Sequence, residues 1–322
     1  MSVVFKSHFA KQLEEFLSQK RALGYSYSNL ADFRIFDHMC EAQFPTETEL
    51  TPEICNTWAT RRKNETVQTV NRRLPFIREF ARYLIRSGEK AYILPPGTVK
   101  GAKRYIPHIY SHAELTEIWK AADNIKSSKQ NPIQHIILPV ILRLLFCSGI
   151  RPSEAFKLTM QDVNLKSGKL FIAKSKGNRD RIVMLRGGIL NICHKFNDEM
   201  NTLFPDRVFF FARSITEPYG HRWLNYIYRE LLRSLQIENR YGLPPRLYDL
   251  RHSFATHRLY QWLKDGKDLH TVMPYLSAYM GHSKIRDTYY YIHLVPGMYE
   301  EMSGFQYESP EDIFPKVVSL DE

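Results

Sequence analysis

Gly281-His282-Ser283-Lys284-Ile285-Arg286-Asp287-Thr288-Tyr289-Tyr290-Tyr291-Ile292-His293 sets a tyrosine nine residues after a histidine, on a chain of formal net charge +11. A phenol can serve as a covalent nucleophile, and an imidazole within reach can hydrogen-bond the group it attacks. Tyrosine clusters alone are ordinary core or interface features, and 19 of the 322 residues are tyrosine. The weight therefore falls on what accompanies this run upstream.

Tyr248-Asp249-Leu250-Arg251-His252-Ser253-Phe254-Ala255-Thr256-His257 follows Pro244-Pro245. It reads as a loop entering a helix that turns Leu250, Phe254 and Leu259 inward, with Arg251 near the helix start. Further back, the run Ile136 to Cys147 is apolar on all sides, so it predicts a core helix, closed by Gly149. Ser148-Gly149-Ile150-Arg151-Pro152-Ser153-Glu154 follows, where Pro152 suits a first helical position and puts Arg151 in an extended conformation at the helix mouth. Free N–H groups and a guanidinium fork would receive a phosphate there. An ion pair of Arg151 with Glu154 or Asp162 is the plainer use. Lys169 to Ala173 and Arg181 to Leu185 then read as two strands joined by a turn that carries Lys176 at its tip. A tip lysine alone is normally just solvated.

The first third is helical. Phe5, Phe9, Leu13, Phe16 and Leu17 share one face and Gly24 ends that helix; Leu30, Phe33, Phe36 and Met39 repeat the pattern. Val67, Val70, Leu74, Ile77, Phe80 and Leu84 form a third run ending at Gly88, and a further helix lies near Thr51 to Arg62. Residues 1–94 thus read as a four-helix bundle. Its basic faces offer Arg61, Arg62, Lys63, Arg72 and Arg73 as phosphate contacts, a pattern that a solvated helix face shares. Residues 95–108 read as a linker with Lys100, Lys103 and Arg104, and a second domain opens at the capping box Ser111-His112-Ala113-Glu114.

With 45 Lys+Arg against 34 Asp+Glu, the composition favours an anionic partner, and nucleic acid comes before a membrane because no basic amphipathic stretch is set off with an apolar face; no stretch reaches membrane-spanning length. Cys40, Cys55, Cys147 and Cys193 are too far apart for a zinc knuckle or a disulfide framework and read as reduced, buried thiols. No leader pattern opens the chain, so a cytoplasmic protein is expected.

Together these motifs resemble the tyrosine recombinases of the phage integrase family over residues 109–295. Ser148 to Arg151 with Glu154 resembles the family's first arginine box, Ser175 to Val183 its lysine hairpin, Leu250-Arg251-His252 its second arginine box, and Gly281-His282 with Thr288 to Tyr291 its terminal box. Thr66 to Arg73 more weakly resembles its helical core-binding domain. The resemblance implies a mainly α fold with a small β-sheet. A SAM-like core-binding domain (1–94) would be joined by the linker (95–108) to an α+β catalytic domain (109–295), the two clamping duplex DNA. It implies that Arg151 and Arg251 hold the scissile phosphate, Tyr291 attacks it to give a 3′-phosphotyrosyl link, Lys176 protonates the leaving 5′ oxygen, and His282 donates to the phosphate or assists Tyr291. Two guanidinium forks neutralise the nonbridging oxygens without metal or cofactor. Tyr291 is chosen over Tyr289 and Tyr290 because the family's nucleophile lies nine positions after the His of the Gly-His box and two before a His. Tyr248 stands where the family carries His or Lys, and as a neutral donor it is a poor proton shuttle near neutrality. The stretch from Arg251 to His282 is also longer than usual, which suggests a mobile-element subgroup active in integration or transposition. The tail 296–322 would dock on a neighbouring protomer, assembling a homo-tetramer on DNA, with related recombinases as further partners. A type IB topoisomerase and a catalytically impaired DNA-binding accessory protein are the alternatives.

Overall fold

The structure is a computed structural model that describes residues 4–25, 30–101, 105–175 and 179–295. Lys103, Arg104, Lys176 and the tail 296–322, singled out above, lie outside the described residues. The chain divides between Tyr105 and Ile106 into two compact units.

Among the described residues, the first unit consists of four helices: α1 (Ala10–Ala22), α2 (Ala31–Gln43), α3 (Pro52–Ala59) and α4 (Val67–Arg86). The apolar face read from the sequence is the face that is buried, with Phe9, Leu13 and Phe16 of the first segment against Phe33 and Phe36 of α2 and Ile77 and Phe80 of α4. Aromatic rings fill the centre: Phe36 lies 5.6 Å from Trp58, Phe76 and Phe80 alike. The starts of α3 and α4 are fixed by side-chain caps, Thr51 accepting from the Ile54 amide and Thr66 from the Thr69 amide. Gly24 adopts φ +82° just beyond α1, a conformation that other residues adopt only with strain.

One sequence expectation is corrected here. Arg73 is not a phosphate contact: it lies inside the bundle, where its Nε and Nη2 donate to Glu65 at 2.9 Å each and Nη2 also donates to the Thr60 carbonyl. Its guanidinium lies 4.8 Å from the Trp58 ring centre, with Arg62 4.9 Å from the same ring. Arg61, Lys63, Arg72 and Lys100 are exposed, as expected of solvated cations.

The second unit begins with α5 (His112–Asp123), whose capping box is formed: the Ser111 amide donates to Glu114 at 2.7 Å and the Glu114 amide to Ser111 Oγ at 3.1 Å. The apolar helix α6 (Gln134–Ser148) runs through the core against α5, α8 (Gly187–Leu203) and α10 (Asp249–Lys264). A one-turn helix α7 (Pro152–Ala155) follows Gly149, and then a three-stranded antiparallel sheet in the order β1 (Val163–Asn164), β2 (Lys169–Ser175), β3 (Arg179–Met184). Phe171 pairs with Ile182, and Ile172 with Arg181. Helix α9 (His221–Ser234) precedes α10; α11 (Leu269–Met280) and the short α12 (Arg286–Tyr289) close the unit. Among the described residues no helix is long and apolar enough to cross a membrane.

Removing the Arg73 cation strands a half-buried carboxylate. Arg73→Met is expected to lower stability by about 3–5 kcal/mol, whereas Arg72→Ala changes it by less than about 0.5 kcal/mol. Denaturant unfolding of the two variants against the parent chain checks the difference.

Candidate active site

Three chain reversals carry the site. The first is Gly149 (φ +60°), which ends α6; a Cβ there would lie 2.3 Å from the Phe254 ring of α10, so the reversal both needs glycine and locks α6 to α10. The second is the entrance of α10. Asp249 is fully buried and accepts from the Arg246 amide, while Ser253 Oγ accepts from the Tyr110 amide, anchoring the helix to the start of the unit. The third is Gly281 (φ +65°), which ends α11 and hands the chain to His282.

Arg251 projects from α10 into the space between the first and third reversals and is only 1% exposed. Its Nη1 donates to the Gly149 carbonyl; its Nη2 donates to the Met280 carbonyl at 2.6 Å and lies 3.2 Å from His282 Nε2. Burial lowers its pKa, with Tyr248 and Tyr291 opposing. Arg151, in the extended conformation at the mouth of α7, is oriented by Glu154: Nη1 donates to Oε1 at 2.7 Å and the Arg151 amide to Oε2 at 2.8 Å. Its Nη2 donates to the Gly281 carbonyl at 3.1 Å, so both guanidinium groups meet at one turn. The ion pair with Glu154 and the convergence on the site therefore coexist. Asp162, the other acid considered, accepts from Thr159.

Glu154 also receives Arg181 of β3, through Nη1 at 3.0 Å and Nη2 at 2.7 Å, while Arg181 Nε donates to the Tyr279 carbonyl at 2.8 Å. Burial alone would raise the Glu154 carboxyl, but the hydrogen bonds from Arg181 and Arg151 outweigh it and bring the pKa to about 2. A Cβ on Gly281 would come within 2.9 Å of Arg181, so the glycine also permits this approach.

Tyr291 closes the site from the other side. It is the most buried of the three adjacent tyrosines, at 2% exposure, whereas Tyr289 and Tyr290 are half-buried. Its ring lies nearly parallel to that of His282 (14°, 6.1 Å between centres) and 5.5 Å from that of His252. Burial pushes its phenol to about 12 against the pull of Arg251. Tyr248 is 38% exposed at the N-terminal end of α10, with its phenol beside Arg151 and its ring 5.2 Å from that of His252. Burial, with Arg251 and Arg151 nearby, lowers His282 to about 4; burial, with Arg251 and His282, lowers His252 to about 3, so both imidazoles are neutral near pH 7.

The residues 110–297 match the model of the phage integrase family. The chain belongs to that family. A Sinorhizobium fredii (strain NBRC 101917 / NGR234) protein, y4rB, whose name places it among integrases and recombinases, is 27% identical over 317 residues, covering 92% of this chain and 96% of the relative. Among solved structures, the XerH site-specific recombinase bound to palindromic difH substrate superposes with a TM-score of 0.65 at 18% identity, covering 92% of this chain and 84% of that one. The Tn1549 transposon integrase in complex with transposon right end DNA gives 0.64 at 13% identity, covering 91% and 99%. At these identities the likeness is one of fold, a mainly helical chain with a small sheet.

Of the residues singled out in this phage integrase family member, Arg151, Arg251, Tyr248, His282 and Tyr291 come together; Lys176 lies outside the described residues. Sequence reasoning passed over Arg181, His252 and Thr288. Each sat inside a quoted motif, but without a partner in sequence to mark it. It also passed over α9, which exposes Arg222, Tyr226, Arg229 and Arg233.

A carboxyl held below its unfolded value stabilises the fold above pH about 4.5, and that contribution is lost as pH falls toward about 2. Glu154→Gln is thus expected to be less stable than the parent by about 3 kcal/mol near neutrality. The gap should shrink steadily below pH about 4.5, as measured by denaturant midpoints across pH.

Proposed function

We propose that this chain is a tyrosine-type site-specific DNA recombinase, which cuts and rejoins duplex DNA through a 3′-phosphotyrosyl intermediate. The convergence of Arg151 and Arg251, from separate helix starts, on the one turn Gly281-His282 beside Tyr291 carries this reading. Two guanidinium groups meeting there suit a phosphodiester, whose nonbridging oxygens gain charge in the transition state. The Tyr291 phenol gives its proton to water as its oxygen forms a bond to phosphorus, the bond to the 5′ oxygen breaks, and Lys176 supplies the proton that oxygen takes up. His282 donates to the phosphate, and Tyr248 adds a neutral hydrogen bond. The 5′ hydroxyl of a second strand reverses the step, one phosphoester replacing another, so no ATP is consumed.

Duplex DNA is the partner. Arg61, Arg62, Lys63, Arg72, Lys100, Lys103 and Arg104 contact phosphates along the first unit and linker, and the exposed arginines of α9 offer further cations on the second unit. The reading divides the chain into a core-binding domain (1–94), a linker (95–108) and a catalytic domain (109–295). The tail 296–322 docks on a neighbouring protomer to assemble a tetramer on DNA. Integration or transposition of a mobile element fits best, given the likeness to y4rB and the transposon integrase fold. The topoisomerase and accessory-protein alternatives gain no support from these relatives.

A nicked suicide duplex tests the chemistry. The parent chain and Tyr290→Phe should yield a covalent protein–DNA adduct that survives denaturant, and Tyr291→Phe none. Arg251→Lys should lower the rate of adduct formation by about 10²-fold or more. An adduct retained in Tyr291→Phe overturns the assignment of the nucleophile.

A further inference from the structure

Thr288 of α12 is fully buried, and its Oγ1 lies 2.7 Å from His282 Nδ1. The other ring nitrogen, Nε2, faces Arg251 Nη2 at 3.2 Å. A guanidinium nitrogen can only donate, so Nε2 must accept. A neutral imidazole has a single N–H, and that proton therefore sits on Nδ1 and is donated to the Thr288 hydroxyl oxygen. The free chain thus holds His282 in the tautomer with no N–H directed at Arg251, the side where the proposed function puts the phosphate.

A threonine hydroxyl is both donor and acceptor, so one contact can hold the ring in either tautomer. Valine has the same shape without that capacity. We propose that Thr288 is a positioning residue that acts through His282: it accepts from Nδ1–H in the free chain and donates to bare Nδ1 once a phosphate draws Arg251 away from Nε2. In the exchange Nδ1 gives one proton to water and Nε2 takes one from water, so the ring stays neutral and Nε2–H comes to face the phosphate. The DNA-bound half rests on the recombinase reading; the tautomer of the free chain does not.

Imidazole ¹⁵N spectra of the full, DNA-free chain, with the His282 signal assigned by its loss in His282→Ala, should show the Nδ1–H form. Thr288→Ser should keep that form with its hydrogen-bonded Nδ1 shift, and Thr288→Val should keep the proton on Nδ1, where Arg251 holds it, but lose the hydrogen-bond shift of that nitrogen. On the nicked duplex Thr288→Val should slow adduct formation about tenfold or more, with DNA affinity unchanged and Thr288→Ser within about twofold of the parent. Placed in His282→Ala, the valine substitution should cost nothing further. An Nε2–H or doubly protonated ring in the free parent chain overturns the inference without any variant. Effects of Thr288→Val and His282→Ala that multiply also overturn it, since they would mean that Thr288 acts apart from the imidazole. A parent chain that forms no adduct defeats the recombinase reading and the DNA-bound half, and the spectrum alone then decides the contact.

Discussion

A guanidinium buried among neutral acceptors is the constraint around which the second unit is built. Arg251 is almost wholly removed from solvent, yet its hydrogen bonds go to the backbone carbonyls of Gly149 and Met280 and to a neutral imidazole, none of which carries a charge. A buried cation matched only by dipoles is unfavourable, so the fold must hold it there against its own tendency to reach water. The fully buried Asp249 and Ser253 at the entrance of α10, and the Phe254 ring packed on Gly149, do that holding. The neighbouring phenols of Tyr248 and Tyr291 oppose the effect of burial on this cation.

Arg151 is handled in the opposite way. Glu154 neutralises it and is itself shared with Arg181, so one carboxylate joins α7, β3 and, through the Tyr279 carbonyl, the end of α11. The carboxylate sets the direction of the Arg151 fork, and the Gly281 carbonyl keeps the fork on the same turn as Arg251. One cation is fixed by an ion pair and the other by main-chain acceptors. Displacing main-chain acceptors with a phosphate breaks no salt bridge, so Arg251 is the easier of the two to redirect.

How much of this could be read from the chain follows the range of the interactions. The Ser111 capping box, the glycine ends of α1 and α6, and Pro152 behind an extended Arg151 are local, and the sequence states them outright. The helical periodicities and one hairpin pattern marked the elements, while the fold class came from the resemblance of the motifs to the phage integrase family. Arg73 was misread because a basic residue on an amphipathic helix looks the same whether it faces water or a Glu65–Trp58 pocket built by other segments. Arg181, His252 and Thr288 owe their places to contacts across the fold or across a turn, which no spacing rule encodes. The inward turn of the Tyr291 ring depends in the same way on the rings of His252 and His282 that receive it.

The seclusion of Tyr291 ties its ionisation to its packing. Its ring belongs to an apolar cluster with Phe254, Leu259 and Met280, and burial keeps the phenol protonated near neutrality against the pull of Arg251. Apolar neighbours of the ring thus help to set its acidity, and a substitution that lets water reach the phenol would bring it back toward its ordinary value while every polar group nearby stays the same.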